Sequence, residues 1–171
     1  MTQNIMKGKL CLVTGATSGI GKITATELAK LGAEVVLVGR NQQKTELVVG
    51  EIRSQTGNAA IHYFLADFSN LITVRTLAES FKERFSHLDV LVNNAGSFYN
   101  TRIGTPYGIE MTFLVNHLAP FLLTNLLLDC IQANERARIV NVSSDAHRYD
   151  KMDFDNLGFQ RGYFGMRAYA R

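Results

Sequence analysis

Three glycines in the segment Thr14-Gly15-Ala16-Thr17-Ser18-Gly19-Ile20-Gly21 follow the apolar run Leu10–Val13 and precede a helical pattern. A glycine-rich turn between strand and helix suits a phosphate-bearing ligand. Gly15 permits a tight turn, Gly19 lets a pyrophosphate approach the backbone, and Gly21 lets the helix pack close to the strand. The helix N-terminus adds free N–H groups and a partial positive charge. Thr17, Ser18 and Ile20 belong to the same candidate dinucleotide cradle. The next apolar run ends in Gly39-Arg40-Asn41. A carboxylate about twenty residues beyond the glycines would hold the ribose 2′-hydroxyl of NAD, and this corner has none. Arg40 can instead grip a 2′-phosphate through its two-pronged guanidinium. The expected cofactor is therefore NADP, with NAD as the alternative. The competing readings are a glycine turn without a ligand and a solvated arginine at a strand end.

Other chemistry is sparse. Cys11 and Cys130 lie far apart in apolar stretches, match no metal spacing, and read as buried thiols in a reducing compartment. His62 and His87 have no partners at metal spacing, so no metal site is expected. His117 reads as a packed helix residue, and His147 as either a substrate contact or an ordinary loop residue. The formal charge of +3 comes from 18 basic and 15 acidic residues that are interspersed, without the basic, aromatic-laced stripe of a nucleic-acid groove. The N-terminal MTQNIMKGK lacks an apolar signal segment, and the longest apolar run, Ala119–Leu128, is interrupted by polar residues. No membrane span is expected, and a cytoplasmic location is.

The elements that must position these residues alternate regularly. Strands are predicted at Leu10–Val13, Glu34–Val38, Ala60–Ala66, Asp89–Val92 and Arg138–Val142. Helices are predicted at Gly19–Leu31, Gln42–Gln55, Leu71–Phe85 and Gly108–Ala133, with another beginning near Phe164. Expected inward faces are Ile20, Ile23, Leu28 and Leu31 on the first helix, and Leu47, Val48 and Ile52 on the second. The third turns Val74, Leu77, Ala78 and Phe81 inward. Gly32 and Gly57 should end the first two helices, and Ser69 should cap the third. Continuously apolar strands alternating with helices imply an α/β chain, a Rossmann-like, doubly wound parallel sheet with five strands present. Its 46% hydrophobic and 19% charged residues suit one globular domain over residues 1–171.

TGATSGIG, followed by Asn93-Asn94-Ala95-Gly96, Asn116 in a long helix and IVNVSS at the fifth strand, resembles the short-chain dehydrogenase/reductase family. TSGIGK, the Gly-Arg corner, VNHLAPFLLT and Ser143-to-His147 are most similar to retinol-dehydrogenase-like reductases. The resemblance implies hydride exchange between a nicotinamide and a small alcohol or carbonyl, such as a retinoid, steroid or other lipophilic compound. It implies that Asp67 receives the adenine amino group, the competing reading being a helix cap beside Ser69. Asn93, Ala95, Gly96 and Val115 would line the cofactor, with Asn93 also tying strands together. Asn116 would hold a water in a proton relay, and Ser144 would polarise the substrate carbonyl, with Ser143 as the alternative. Tyr169 is the implied proton donor, with Tyr163 as the alternative. Either could instead be a packed aromatic.

The family pairs its tyrosine with a lysine four residues on. Tyr163 has Arg167 there, and for Tyr169 that place is position 173, past Arg171. A free phenol titrates near ~10, and each unit by which a neighbour does not lower it withholds about 1.4 kcal/mol. A shortfall of two or three units costs roughly a hundredfold to a thousandfold in reactive phenolate. The 171-residue chain is accordingly expected to lack its C-terminal strands and to be weak or inactive as an enzyme. A non-catalytic nucleotide-binding module and a non-functional fragment are the alternatives. Complete enzymes of the family form homo-oligomers through helices after the fourth and fifth strands, which leaves the state of this chain open.

Overall fold

The computed structural model describes residues 4–171. The first three residues of the segment read for a targeting signal lie outside them. Five parallel strands, β1 (Leu10–Thr14), β2 (Glu34–Gly39), β3 (Ile61–Leu65), β4 (Val90–Asn93) and β5 (Arg138–Asn141), form one sheet in the order β3-β2-β1-β4-β5. The chain starts in the middle of the sheet, runs out to β3, and crosses back to β4. That reversal beside β1 opens a crevice at the strands' carboxyl ends. Helices α1 (Gly19–Lys30), α2 (Gln42–Thr56) and α3 (Leu71–Arg84) make the first crossovers.

Alternate strand residues feed two cores. Cys11, Val13, Val35 and Leu37 pack with Ala25, Ala29, Val48 and Ile52 of α1 and α2. Leu10, Leu12, Val36 and Leu91 pack on the other face with Leu77 and Phe81 of α3 and with Leu123 and Leu127. Burying each such large side chain contributes about 1.5–3 kcal/mol. All four residues predicted to face inward from α3 do so. The first helix departs from expectation. Ile20 and Ile23 are exposed, and α1 buries Gly21, Ala25, Thr26 and Ala29. Small residues let α1 lie close to the sheet, a stripe that hydrophobicity alone misreads. Leu47 of α2 is likewise exposed, and Val48, Val49 and Ile52 are its inward residues.

Gly32 (φ +88°) and Gly57 (φ +69°) end α1 and α2 as expected. Ser69 does not cap α3. Asn70 does, its side-chain oxygen accepting the N–H of Ile72 at 3.0 Å. The long helix predicted from Gly108 begins instead at Met111. An antiparallel bridge between Gly104 and Glu110 holds Gly108 (φ +73°) and Ile109 in a tight hairpin, and the buried Glu110 carboxylate caps Thr112 and Phe113. Helical turns then run through α4 (Met111–Phe113), a π-helical turn (Leu114–Leu118), α5 (Ala119–Leu126) and α6 (Leu128–Gln132). After β5, 3₁₀ turns at Asp145–Arg148 and Phe154–Asn156 lead to α7 (Gly165–Ala170), with Phe164 at its N-cap. Among the described residues no helix is long and apolar enough to cross a membrane.

Candidate functional site

The glycine turn is knotted to the loop after β4. The buried Thr14 hydroxyl donates to the Val92 carbonyl and accepts the N–H groups of Asn94 and Ala95 at 2.9 and 3.0 Å. The Asn94 side-chain amide returns two hydrogen bonds, to the carbonyls of Thr14 and Gly15. Gly15 has φ +64°, and a Cβ there would lie 2.8 Å from Ala95 Cα. Gly21 owes its identity to this knot rather than to the strand. A Cβ at 21 would strike the Asn94 side chain and come within 2.5 Å of the Gly15 carbonyl oxygen. Gly19 (φ +52°) faces open space, so its left-handed backbone rather than crowding favours glycine there. Ser18 provides no side-chain cap to α1, so the first-turn N–H groups are available to an anion.

A cleft of about 800 Å³ opens beside this turn. Of the residues singled out from sequence, Gly15, Thr17, Ser18, Arg40, Asp67, Ala95, Gly96 and Val115 line it. Gly19, Ile20 and Gly21 lie at the start of α1, outside the lining, and Gly21 is buried. Asn93 is buried beneath the cleft, where its amide donates to Thr124 Oγ1 and Asn141 Oδ1, tying β4 to β5. Its own Oδ1 has no partner. Asp67 closes a local turn by accepting the N–H and hydroxyl of Ser69 at 2.9 and 2.8 Å, and it does not cap α3.

Sequence reasoning missed Lys44, Asn94 and Ser97. Lys44 lines the cleft with Arg40 because Asn41 caps α2 through the Lys44 N–H and starts the helix there. Neither cation has a carboxylate within ion-pair distance among the described residues. A cation four residues after Arg40 on a capped helix is a signal the sequence did carry. Ser97, a wall residue, buries its hydroxyl without a partner. The two free cations and this orphaned hydroxyl fit a dinucleotide of the NAD(P) type. Among the described residues no group of three or more metal-ligating side chains is gathered.

None of the three residues assigned chemistry lines the cleft, and two of them touch its wall, Asn116 at Ser97 and Tyr169 at Phe98. Asn116 sits in the π-helical turn, and its side chain clamps Ser97, accepting the Ser97 N–H at 2.7 Å and donating to the Ser97 carbonyl at 2.9 Å. Ser144 follows β5 and is half-buried, its hydroxyl accepting the Ala146 N–H at 3.2 Å, whereas Ser143 is exposed. Tyr169 lies on α7, which packs on the turn after Ser144 and on α4. Its ring meets Phe98 of the cleft wall edge-on, centroids 5.7 Å apart. Tyr163 is a packed residue: its hydroxyl donates to the Tyr99 carbonyl at 2.8 Å, its ring stacks edge-on to Phe159, and burial pushes its phenol pKa up.

The model of the short chain dehydrogenase family matches residues 9–154. Human retinol dehydrogenase 11 is 44% identical over 165 residues, 96% of this chain and 52% of that protein. Human retinol dehydrogenase 13 is 42% identical over 161 residues, 94% of this chain and 49% of that protein. The chain thus spans about half the length of the curated relatives it matches. A solved protein from Mycobacterium paratuberculosis superposes with a TM-score of 0.80 at 34% identity, over 97% of this chain and 57% of that one. A short chain dehydrogenase from Escherichia coli, solved with NADPH, superposes with a TM-score of 0.77 at 28% identity, over 98% of this chain and 67% of that one. With its glycine turn, its strand order and these matches, the chain belongs to the short-chain dehydrogenase/reductase family.

Proposed function

We propose that this chain binds NADP and serves the interconversion of an alcohol and a carbonyl, with a lipophilic substrate such as a retinoid or steroid. The observation that carries the cofactor choice is the end of β2, where Arg40 and Lys44 line the cleft and, among the described residues, neither is paired with a carboxylate. The glycine turn and the α1 N-terminus receive the pyrophosphate, and Asp67 the adenine. A bound nicotinamide supplies or accepts the hydride. Ser144 donates a hydrogen bond to the substrate oxygen, and Tyr169 gives or takes the proton there. Asn116 holds the cleft wall through Ser97. Exposed Phe98, Phe164 and Met166 on and near α7 favour an apolar substrate. The free, buried thiols Cys11 and Cys130 suit a cytoplasmic location.

The test is binding. NADPH should bind tighter than NADH, and Arg40→Ala should weaken NADPH about ten- to a hundredfold, the loss of a charge-assisted phosphate pair, with NADH unaffected. Equal affinity for the two cofactors, or equal loss for both in the variant, would sink the NADP assignment.

A further inference from the structure

The corner where β2 ends is closed from beneath. Gly39 is the last residue of β2 and lines the cleft, with an ordinary strand backbone that other residues could adopt. Packing alone keeps it a glycine. A Cβ at 39 would strike Thr45 Oγ1 and lie 2.7 Å from Thr17 Cγ2 and 3.3 Å from Thr45 Cβ.

Neither the threonines nor the strand has room to withdraw. Thr45 is fully buried in the first turn of α2, where its hydroxyl donates to the Asn41 carbonyl at 2.7 Å. A β-branched side chain in a helix has few rotamers to choose from. Thr17 follows Ala16, whose N–H donates to the Val38 carbonyl at 3.2 Å and holds the glycine turn against the end of β2. On its other side the Gly39 carbonyl accepts the Ala66 N–H at 3.0 Å, and Gly39 stands in register with Leu65 of β3.

This corner is where a dinucleotide fold places the carboxylate that grips a ribose 2′-hydroxyl, about twenty residues beyond the glycine turn. Gly39, Arg40 and Asn41 occupy it. Arg40 is itself a cation, and the Asn41 side-chain oxygen accepts the Lys44 N–H at 2.9 Å. Position 39 is the place left for a carboxylate, and the two threonines bar a side chain from it. We propose that Thr45, together with Thr17, sets the cofactor preference by keeping position 39 bare. The proposal rests on the NADP reading above and deepens it. Thr45 lies outside the cleft lining; it is a positioning residue that acts through Gly39. One substitution therefore cannot convert the site to NAD, because a carboxylate at 39 disrupts the packing beneath it before it can serve a ribose.

The test places Gly39→Asp in the 171-residue chain, alone and together with Thr17→Ser and Thr45→Ala, which remove the obstructing Thr17 Cγ2 and Thr45 Oγ1. NADH and NADPH affinities are read by fluorescence titration and stability by urea unfolding. Gly39→Asp alone should lower the urea midpoint and weaken both cofactors. The triple variant should regain the midpoint, tighten NADH about tenfold over the parent and weaken NADPH about tenfold, reversing the preference. Gly39→Asp that is as stable as the parent, or that reverses the preference by itself, would overturn the proposal. So would a triple variant that regains stability and still prefers NADPH. If Gly39→Asp folds in neither background, Gly39→Ala decides, since it adds the same Cβ without charge and needs no cofactor. Its midpoint should fall and recover with Thr17→Ser and Thr45→Ala, and a midpoint that does not recover rules the interlock out. A parent that does not prefer NADPH would discard the NADP reading, whatever the unfolding curves show.

Discussion

The glycine turn of the cleft and the segment packed outside its Phe98 wall are built differently. At the glycine turn, Thr14 and Asn94 make five hydrogen bonds among backbone and side-chain groups, all on or next to buried strands. In the other segment, Ser144 and Tyr169 ride on a 3₁₀ turn and a six-residue helix. That helix is tied down by charge: Asp150 accepts from Arg167 Nε at 3.1 Å and pairs with Arg171 Nη2 at 3.0 Å. The Arg171 guanidinium also lies 4.2 Å from the Phe159 ring centre. One region shares the stability of the core. The other can move while the core stands.

Gly21→Ala should break this contrast most severely. Its methyl group would meet the Asn94 side chain and the Gly15 carbonyl, and neither can yield without undoing the knot at Thr14. Overpacking against backbone costs about 1–3 kcal/mol, and losing the buried hydrogen bonds adds about 1 kcal/mol more. We expect a fall of about 2–4 kcal/mol in urea unfolding together with loss of NADPH binding. A variant as stable as the parent would show that the turn is far less rigid than its contacts indicate.

That same knot marks where the sequence is readable. Apolar runs locate all five strands: β1, β2 and β4 because a sheet covered on both faces needs continuous apolar strands, and β5 through Ile139 and Val140 although it is exposed. Gly15, Gly19 and Gly21 stand out by spacing, but the partner of Gly21 is Asn94, on the loop after β4. Periodicity also misassigns α1, because a helix that approaches a sheet on alanine and glycine hides its stripe among small residues while Ile20 and Ile23 point outward. The late start of α4 depends on the Gly104–Glu110 bridge, a pairing that no local pattern announces. Resemblance to the family names Asn116, Ser144 and Tyr169. It does not reveal that Asn116 grips Ser97 or that Asp150 holds the tyrosine's helix.

Acid should sharpen the contrast with a smaller effect. The Arg167 hydrogen bonds, followed by the Lys151 backbone N–H and then the charge of Arg171, hold the Asp150 carboxyl below its ordinary pKa. A depressed carboxylate contributes stability that is complete above the unfolded value near ~3.9 and is lost as pH falls through the folded value. The glycine knot contains no titrating group, and the depressed Asp89 carboxylate that accepts the Leu10 N–H lies at the opposite, amino ends of β1 and β4. Lowering the pH below about 4 should therefore release α7 ahead of the carboxyl ends of β1 and β4. Asp150→Asn should reproduce the release at neutral pH. Hydrogen exchange of residues 165–170 against residues 90–93 is the measurement, and simultaneous loss in both segments would refute the division.

Ser144→Ala should have the smallest effect on the fold, and that smallness is what would separate chemistry from architecture. The hydroxyl accepts one N–H, from Ala146, at 3.2 Å in a four-residue 3₁₀ turn. Water can replace it there, so the change should cost no more than about 1 kcal/mol. Cofactor affinity should hold, since Ser144 stands outside the cleft lining. If Ser144 polarises a carbonyl, its removal takes away a donor aimed at developing negative charge, worth about a hundredfold or more in turnover. The comparison belongs in an assay of lipophilic-aldehyde reduction with NADPH. Large loss of kcat with unchanged stability and cofactor affinity would mark the serine as chemical. Loss of stability matching that of Gly21→Ala would mark it as architecture, and the two regions would then be alike.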